Sequence, residues 1–269
     1  MALTHHRLTA NGIGQHCVTA GSGPAVVLLH GFPEFWYEWR HQIPALARRH
    51  TVIAPDLRGY GYTDKPDDGY DKATMANDVR QLCRALGHER AAVVGRDRGA
   101  RVALRLARDH PGFVDRLVLL GDGLGTDVSA ERMTATPDQA QRRFVFAGAP
   151  GATGWTLSDI AEYVRAYRQP GAALGACHDH RADGPPPGGG PGSARDGAGP
   201  SPSCPVLALR TADAPDPDAL TDRLLRFLAP GGGGLRDAAP WGGPLRDAAP
   251  GSGPLRDAAP GSGALRDTA

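Results

Sequence analysis

The chain has 269 residues, a formal net charge of +1, 41% hydrophobic residues and 6% aromatics. A charge this near zero argues against a basic nucleic-acid binder, and no apolar run reaches the ~20 residues of a membrane span. Glycine and proline crowd two segments, 13 of 20 residues at 184–203 and 16 of 41 at 229–269, leaving about 208 residues for a core. That is enough for one domain with an elaboration. Met1 to Thr9 offers no apolar stretch of a secretory leader, so a cytoplasmic chain is expected. The twenty-eight arginines against two lysines reflect coding bias rather than a partner.

In chain order, His5 to Val18 with the turn pair Asn11-Gly12 predicts an antiparallel hairpin on a sheet edge. Ala25 to Leu29, Thr51 to Ala54, Ala91 to Gly95 and Arg116 to Leu120 are short apolar runs that read as buried strands. Helices are predicted between them, from Ala73 to Leu86 and from Ala100 to Asp109. Strands separated by helices imply an α/β fold with a mostly parallel sheet. Residues 126–182 lose the strand rhythm, and Ile160, Tyr163, Val164 and Tyr167 form one helical stripe that reads as core packing. Pro205 to Leu209 then predicts a last strand and Pro217 to Leu228 an amphipathic helix. From Ala229 the sequence repeats every ten residues, with one Leu per unit. So little apolar surface does not offset the entropy of ordering, and a disordered tail is expected. The resulting organisation is a core at 1–125, a reduced helical segment at 126–183, a linker at 184–203, a core strand and final helix at 204–228, and the tail at 229–269.

Cys17, Cys83, Cys177 and Cys204 stand far apart and read as free buried thiols. His178 and His180 share a Cys-His-Asp-His run, but positions i and i+2 point apart on a helix, so no metal site is expected. The strongest chemical signal is Val94-Gly95-Arg96-Asp97-Arg98-Gly99-Ala100, a strand end and a helix start with an acid between them. Small residues on both sides permit a strained elbow that lifts Asp97 above the sheet. The helix N-terminus behind it favours a carboxylate able to attack an sp3 carbon. A nucleotide-binding turn or a simple N-cap is the plainer reading of the motif alone.

With the elbow, two loops at strand ends, His30-Gly31-Phe32-Pro33-Glu34-Phe35-Trp36 and Asp56-Leu57-Arg58-Gly59-Tyr60-Gly61, resemble the epoxide hydrolase and haloacetate dehalogenase branch of the α/β-hydrolase family. The likeness covers roughly residues 23–125, and Tyr163 to Gly171 resembles part of that branch's helical cap. It implies an α/β-hydrolase core with a reduced helical cap, a small-molecule substrate and no cofactor. Oligomeric state is left open. It also implies that Asp97 is the nucleophile and forms an alkyl ester, and that the backbone N–H groups of Phe32 and Arg98 form the oxyanion hole. Trp36 would line the pocket. Arg98 and Arg101 would grip a substrate carboxylate, although a solvated surface arginine is the alternative for Arg101. Asp122 and Asp213 are both candidates for the acid partner.

The departures from the pattern are specific. Arg96 stands where the family has His, and Arg143-Phe144 where the dehalogenases have a halide-binding His-Trp pair. His180 falls where the cap carries a tyrosine, and no histidine follows it. The family's general base is a histidine after the last core strand, so impaired hydrolysis at a haloalkanoate or an epoxide is the expectation. A non-catalytic hydrolase-fold protein that binds a small carboxylate or a protein partner is the rival, and a decayed chain that folds poorly is a third reading. In limited proteolysis, trypsin is expected to cut first at Arg195 and at the tail arginines, because those segments lack apolar partners. Protection of the tail for as long as the core would contradict the expected disorder.

Overall fold

A computed structural model of the chain describes residues 2–121, 156–182, 200–214 and 216–231. The hairpin forms as its turn dictates. Strands β1 (Thr4–Ala10) and β2 (Ile13–Ala20) flank Asn11 and Gly12, whose φ values of 52° and 79° give the twist that a two-residue hairpin loop requires. Strand β3 (Ala25–Leu29) is buried along its whole length, as expected of a strand covered on both faces. It pairs in parallel with β4 (Thr51–Pro55) and with β5 (Ala91–Arg96). Strands β6 (Val114–Leu120) and β7 (Val206–Leu209) extend the parallel set, so the seven strands run β1-β2-β4-β3-β5-β6-β7.

Alternation along the strands divides the core. Val26, Leu28, Val94 and Val118 point to one face, where they meet a 3-10 turn at Trp36–His41, helix α1 (Ile43–Leu46) and the last helix. Val27, Leu29, Val93 and Leu117 point to the other, against α2 (Lys72–Ala85) and α3 (Arg98–Asp109). Helix α4 (Leu157–Tyr167) begins at a capping box, in which the Thr156 hydroxyl accepts from Asp159 N–H and the Asp159 carboxylate accepts from Thr156 N–H. Helix α5 spans Ala172–Ala182. After β7, a 3-10 turn at Thr211–Asp213 leads directly into α6 (Pro217–Leu228), which is capped by Asp216 and has Pro217 in its first turn.

Two expectations are corrected. The helical stripe of α4 is turned, with Ile160 43% exposed and Asp159, Tyr163 and Ala166 buried. The cause is polar anchoring: Tyr37 Oη donates to Asp159 at 3.0 Å, Tyr163 Oη to Glu34 and Tyr167 Oη to the Pro33 carbonyl. These bonds rotate the helix toward the 31–37 loop. Cys17, Cys83 and Cys177 are free and buried, whereas Cys204 is only partly so because it precedes an edge strand. The boundaries at 125/126 and 183/184, and most of the tail, lie outside the described residues. Among the described residues, no helix is long and apolar enough to cross a membrane.

Phe227 tests whether α6 completes the core. Its ring is fully buried, with the Arg116 guanidinium 5.7 Å from its centroid. Phe227→Ala is expected to cost about 3–5 kcal/mol in urea unfolding, the range for buried aromatic truncation. A loss under about 1 kcal/mol would mean that α6 does not pack as described.

Candidate active site

Asp97 sits at the turn from β5 to α3 with φ 48° and ψ −114°, a conformation that costs a non-glycine residue of order 1–3 kcal/mol. Close packing enforces it. A Cβ on Gly99 would lie 2.4 Å from the carbonyl oxygens of both Leu29 and His30, and one on Gly95 would lie 2.4 Å from Gly99 O. Only glycine at both places lets α3 start this close to the sheet. Asp97 N–H donates to Leu120 O at 2.9 Å, which ties the elbow to β6, and the Asp97 residue is exposed.

The loop after β3 closes over one side of that carboxylate. Phe32 N–H donates to Asp97 Oδ2 at 2.9 Å, so this half of the expected oxyanion hole and the expected nucleophile are in contact. One residue earlier, Gly31 N–H donates to Glu38 Oε2 at 2.9 Å, and Glu38 Oε1 lies 3.3 Å from Arg96 Nε. Arg96, in the place of the family's histidine, thus braces the end of β5 against the loop through Glu38. Burial, with Glu34 nearby, pushes the Glu38 carboxyl up to about 8. His30 is fully buried; its Nδ1–H donates to Gly31 O and its Nε2 accepts from Leu57 N–H. Burial pushes its pKa down, which keeps it neutral in this structural role.

Arg98 does not present its guanidinium as a carboxylate clamp. Its Nε lies 2.5 Å from Asp179 Oδ2, and its Nη2 donates to Asp179 Oδ1 at 2.9 Å and to the Asp179 carbonyl at 2.7 Å. Lys72 Nζ adds a 2.7 Å bond to Asp179 Oδ1, and Tyr60 Oη donates to Oδ2 at 2.6 Å. Two cations therefore converge on one carboxylate that has no exposed surface. Burial alone would push the Asp179 carboxyl up, but Lys72 and Arg98 outweigh it and hold the group well below the usual carboxylate range. Arg101 stands one turn into α3, half-buried.

Trp36 belongs to the core rather than to the surface around Asp97. It is 6% exposed, edge-on to Phe35 and His5, and its backbone N–H donates to Asp56 Oδ1. Asp213 accepts from Arg210 N–H at 2.8 Å within its own turn, and Asp122 lies outside the described residues. The sequence reading passed over Glu38, Arg96 as its partner, and Asp179. No local signal marked Asp179, which lies in a polar run between His178 and His180; a fully buried carboxylate is kept only when paired, and its partners are distant in sequence.

The family model described as alpha/beta hydrolase fold matches residues 24–203. The chain belongs to that family. It is similar to a soluble epoxide hydrolase from Corynebacterium sp. (strain C12), at 40% identity over 65% of this chain and 71% of that protein. It is also similar to a fluoroacetate dehalogenase from Burkholderia sp, at 38% identity over 63% of this chain and 66% of the relative. Among solved structures, the ligand-free epoxide hydrolase CorEH matches with a TM-score of 0.64 and 35% identity, covering 78% of this hydrolase and 82% of that chain.

Asp179→Ala leaves Arg98 and Lys72 buried without their counter-charge, and is expected to cost about 3–5 kcal/mol at neutral pH in urea unfolding. Because the folded-state pKa is depressed, the stabilisation is fully present above the unfolded value of about 3.9 and is lost as pH falls through the folded value. The gap between parent and variant should therefore narrow in acid. A gap that stays constant with pH would mean that Asp179 does not carry the charge.

Proposed function

We propose that the chain is a hydrolase acting at carbon through an ester on Asp97, and that the ester forms faster than it is hydrolysed. The observation that carries this reading is the bond from Phe32 N–H to Asp97 Oδ2. It occupies one carboxylate oxygen and leaves Oδ1 as the attacking atom. When Oδ1 displaces a halide or opens an epoxide, Oδ2 becomes the carbonyl oxygen of the ester. A donor already aimed at Oδ2 stabilises the oxyanion that water attack would create there.

Two features narrow the chemistry. The Arg98 side chain is bound to Asp179, which favours a neutral electrophile such as an epoxide over a haloalkanoate held by its carboxylate. The ten histidines end at His180, and seven residues, Arg210 to Asp216, link β7 to α6. A base in the family's usual place therefore has no counterpart in the sequence, which supports accumulation of the ester.

The test is intact mass after exposure to small epoxides and haloacetates. One stable adduct per chain is expected, on a peptide containing Asp97. The mapping protease must not cleave after arginine, because Arg96 and Arg98 flank the site. Asp97→Asn should abolish the adduct. Failure of every electrophile to label the parent would favour the non-catalytic, ligand-binding reading.

A further inference from the structure

We infer that Glu38 is a positioning residue, which holds the Phe32 amide on the oxygen where negative charge develops when the Asp97 ester is attacked. The inference rests on the reading of Asp97 as nucleophile and adds the side chain that keeps its oxyanion donor in place.

Two successive amides of the loop after β3 serve two carboxyl groups. Gly31 N–H donates to Glu38 Oε2 at 2.9 Å, and Phe32 N–H donates to Asp97 Oδ2 at 2.9 Å. Glu38 Oε1 in turn lies 3.3 Å from Nε of Arg96, the residue before Asp97. These contacts close a ring that runs from Asp97 to Phe32 and Gly31, across to Glu38, across to Arg96 and back to Asp97. Gly31 is the swivel in that ring. A Cβ there would lie 2.9 Å from Asp97 Cβ, so only glycine fits, and glycine leaves the backbone at its freest. The peptide plane after the swivel is held at its oxygen by His30 Nδ1–H and Glu34 N–H. The plane before it presents the Gly31 N–H, and Glu38 is what ties it. Beyond the amides, the Phe32 ring stands edge-on to His180 of α5, with 4.3 Å between centroids.

Glu38 reaches the loop from a fixed turn. Trp39 beside it is fully buried, and Glu38 N–H donates to Phe35 O at 3.0 Å. Its side chain is 10% exposed. The groups whose charge acts on it are Glu34 from the same loop, Arg96 from β5, Asp97 from the elbow and Tyr163 from α4. Burial, Glu34 and Asp97 push its carboxyl up, against Arg96 and the Gly31 amide, so at neutral pH it carries its proton. A protonated carboxyl still accepts at its other oxygen, and a glutamine in its place offers the same acceptor.

Hydroxylamine reads the oxyanion donor without needing a base from the protein. Its nitrogen attacks Asp97 Cγ, and the oxyanion develops on Oδ2 against Phe32 N–H. As the carbonyl re-forms, the bond from Cγ to the alkyl oxygen breaks. That oxygen leaves as the alcohol with a proton from the nitrogen, and Asp97 is left as the hydroxamate.

The experiment alkylates parent and variants with a small epoxide, adds hydroxylamine to the folded and to the urea-unfolded protein, and follows loss of the adduct by intact mass. The ratio of the two rates is the acceleration due to the fold. Glu38→Ala should lower that ratio by about 10- to 100-fold, approaching the effect of removing an oxyanion donor. Glu38→Gln, which keeps the acceptor, should restore it to within about threefold of the parent. Parental acceleration in Glu38→Ala, or equal losses in the Ala and Gln variants, would overturn the inference and leave the Asp97 reading intact. So would a parent that the fold does not accelerate. Absence of any adduct in the parent would overturn both. Should Glu38→Ala fail to fold or alkylate, Arg96→Ala opens the same ring from a side chain that is 42% exposed. A ratio lowered about threefold or more then supports the inference, and a parental ratio overturns it.

Discussion

Gly99 lies so close to the ends of β3 that no side chain fits between its Cα and the carbonyl oxygens of Leu29 and His30. The rest of the site depends on this contact. It fixes where α3 starts, and with Gly95 it forces Asp97, midway between the two glycines, to a positive φ above the sheet. The strain at Asp97 is held by neighbours that cannot move apart without unpairing β3 from β5. From that fixed point the loop amide of Phe32 reaches the carboxylate. Arg98, the first residue of the helix, reaches across to helix α5. Asp97, the Phe32 amide and the Arg98–Asp179 ion pair thus share one rigid junction.

Much of the fold was legible because its signals are local. The five-residue apolar runs could hardly be anything but buried strands, and the hairpin announced itself in Asn11-Gly12. The predicted bounds of α6 were met at both ends, since Pro217 can open a helix and Leu228 ends the apolar periodicity. Where the reading slipped, long-range polar bonds had won over periodicity. Spacing alone put Ile160 inside, but three bonds from α4 to the loop after β3 turn it to solvent.

The site was legible as a motif and illegible as a network. Asp97 and Phe32 come together as the resemblance implied. Arg98 was read as a substrate clamp because its neighbours in sequence gave no hint of Asp179, eighty-one residues further on. An arginine at a helix start looks the same whether it awaits a ligand anion or a protein one. The same limit hid the pairing of Glu38 with Arg96. His180 was visible as a residue, but its position beside Phe32 follows from how α5 docks, which no local pattern encodes.

The pairing of β6 with β7 has a consequence for how the molecule assembles. Among the described residues, the strand that follows β6 begins at Val206, so the outermost parallel pair joins segments far apart in sequence. Loop-closure entropy grows only logarithmically, about 0.6 kcal/mol per doubling, so the detour is tolerable at equilibrium. Its burden is kinetic. Until the four residues of β7 arrive, β6 presents a bare row of amides and carbonyls along its apolar end, Leu117 to Leu120, the template on which chains pair with one another. Yield on refolding should therefore depend on protein concentration more steeply than the final stability would suggest, because the last strand to join is the one that shields the sheet.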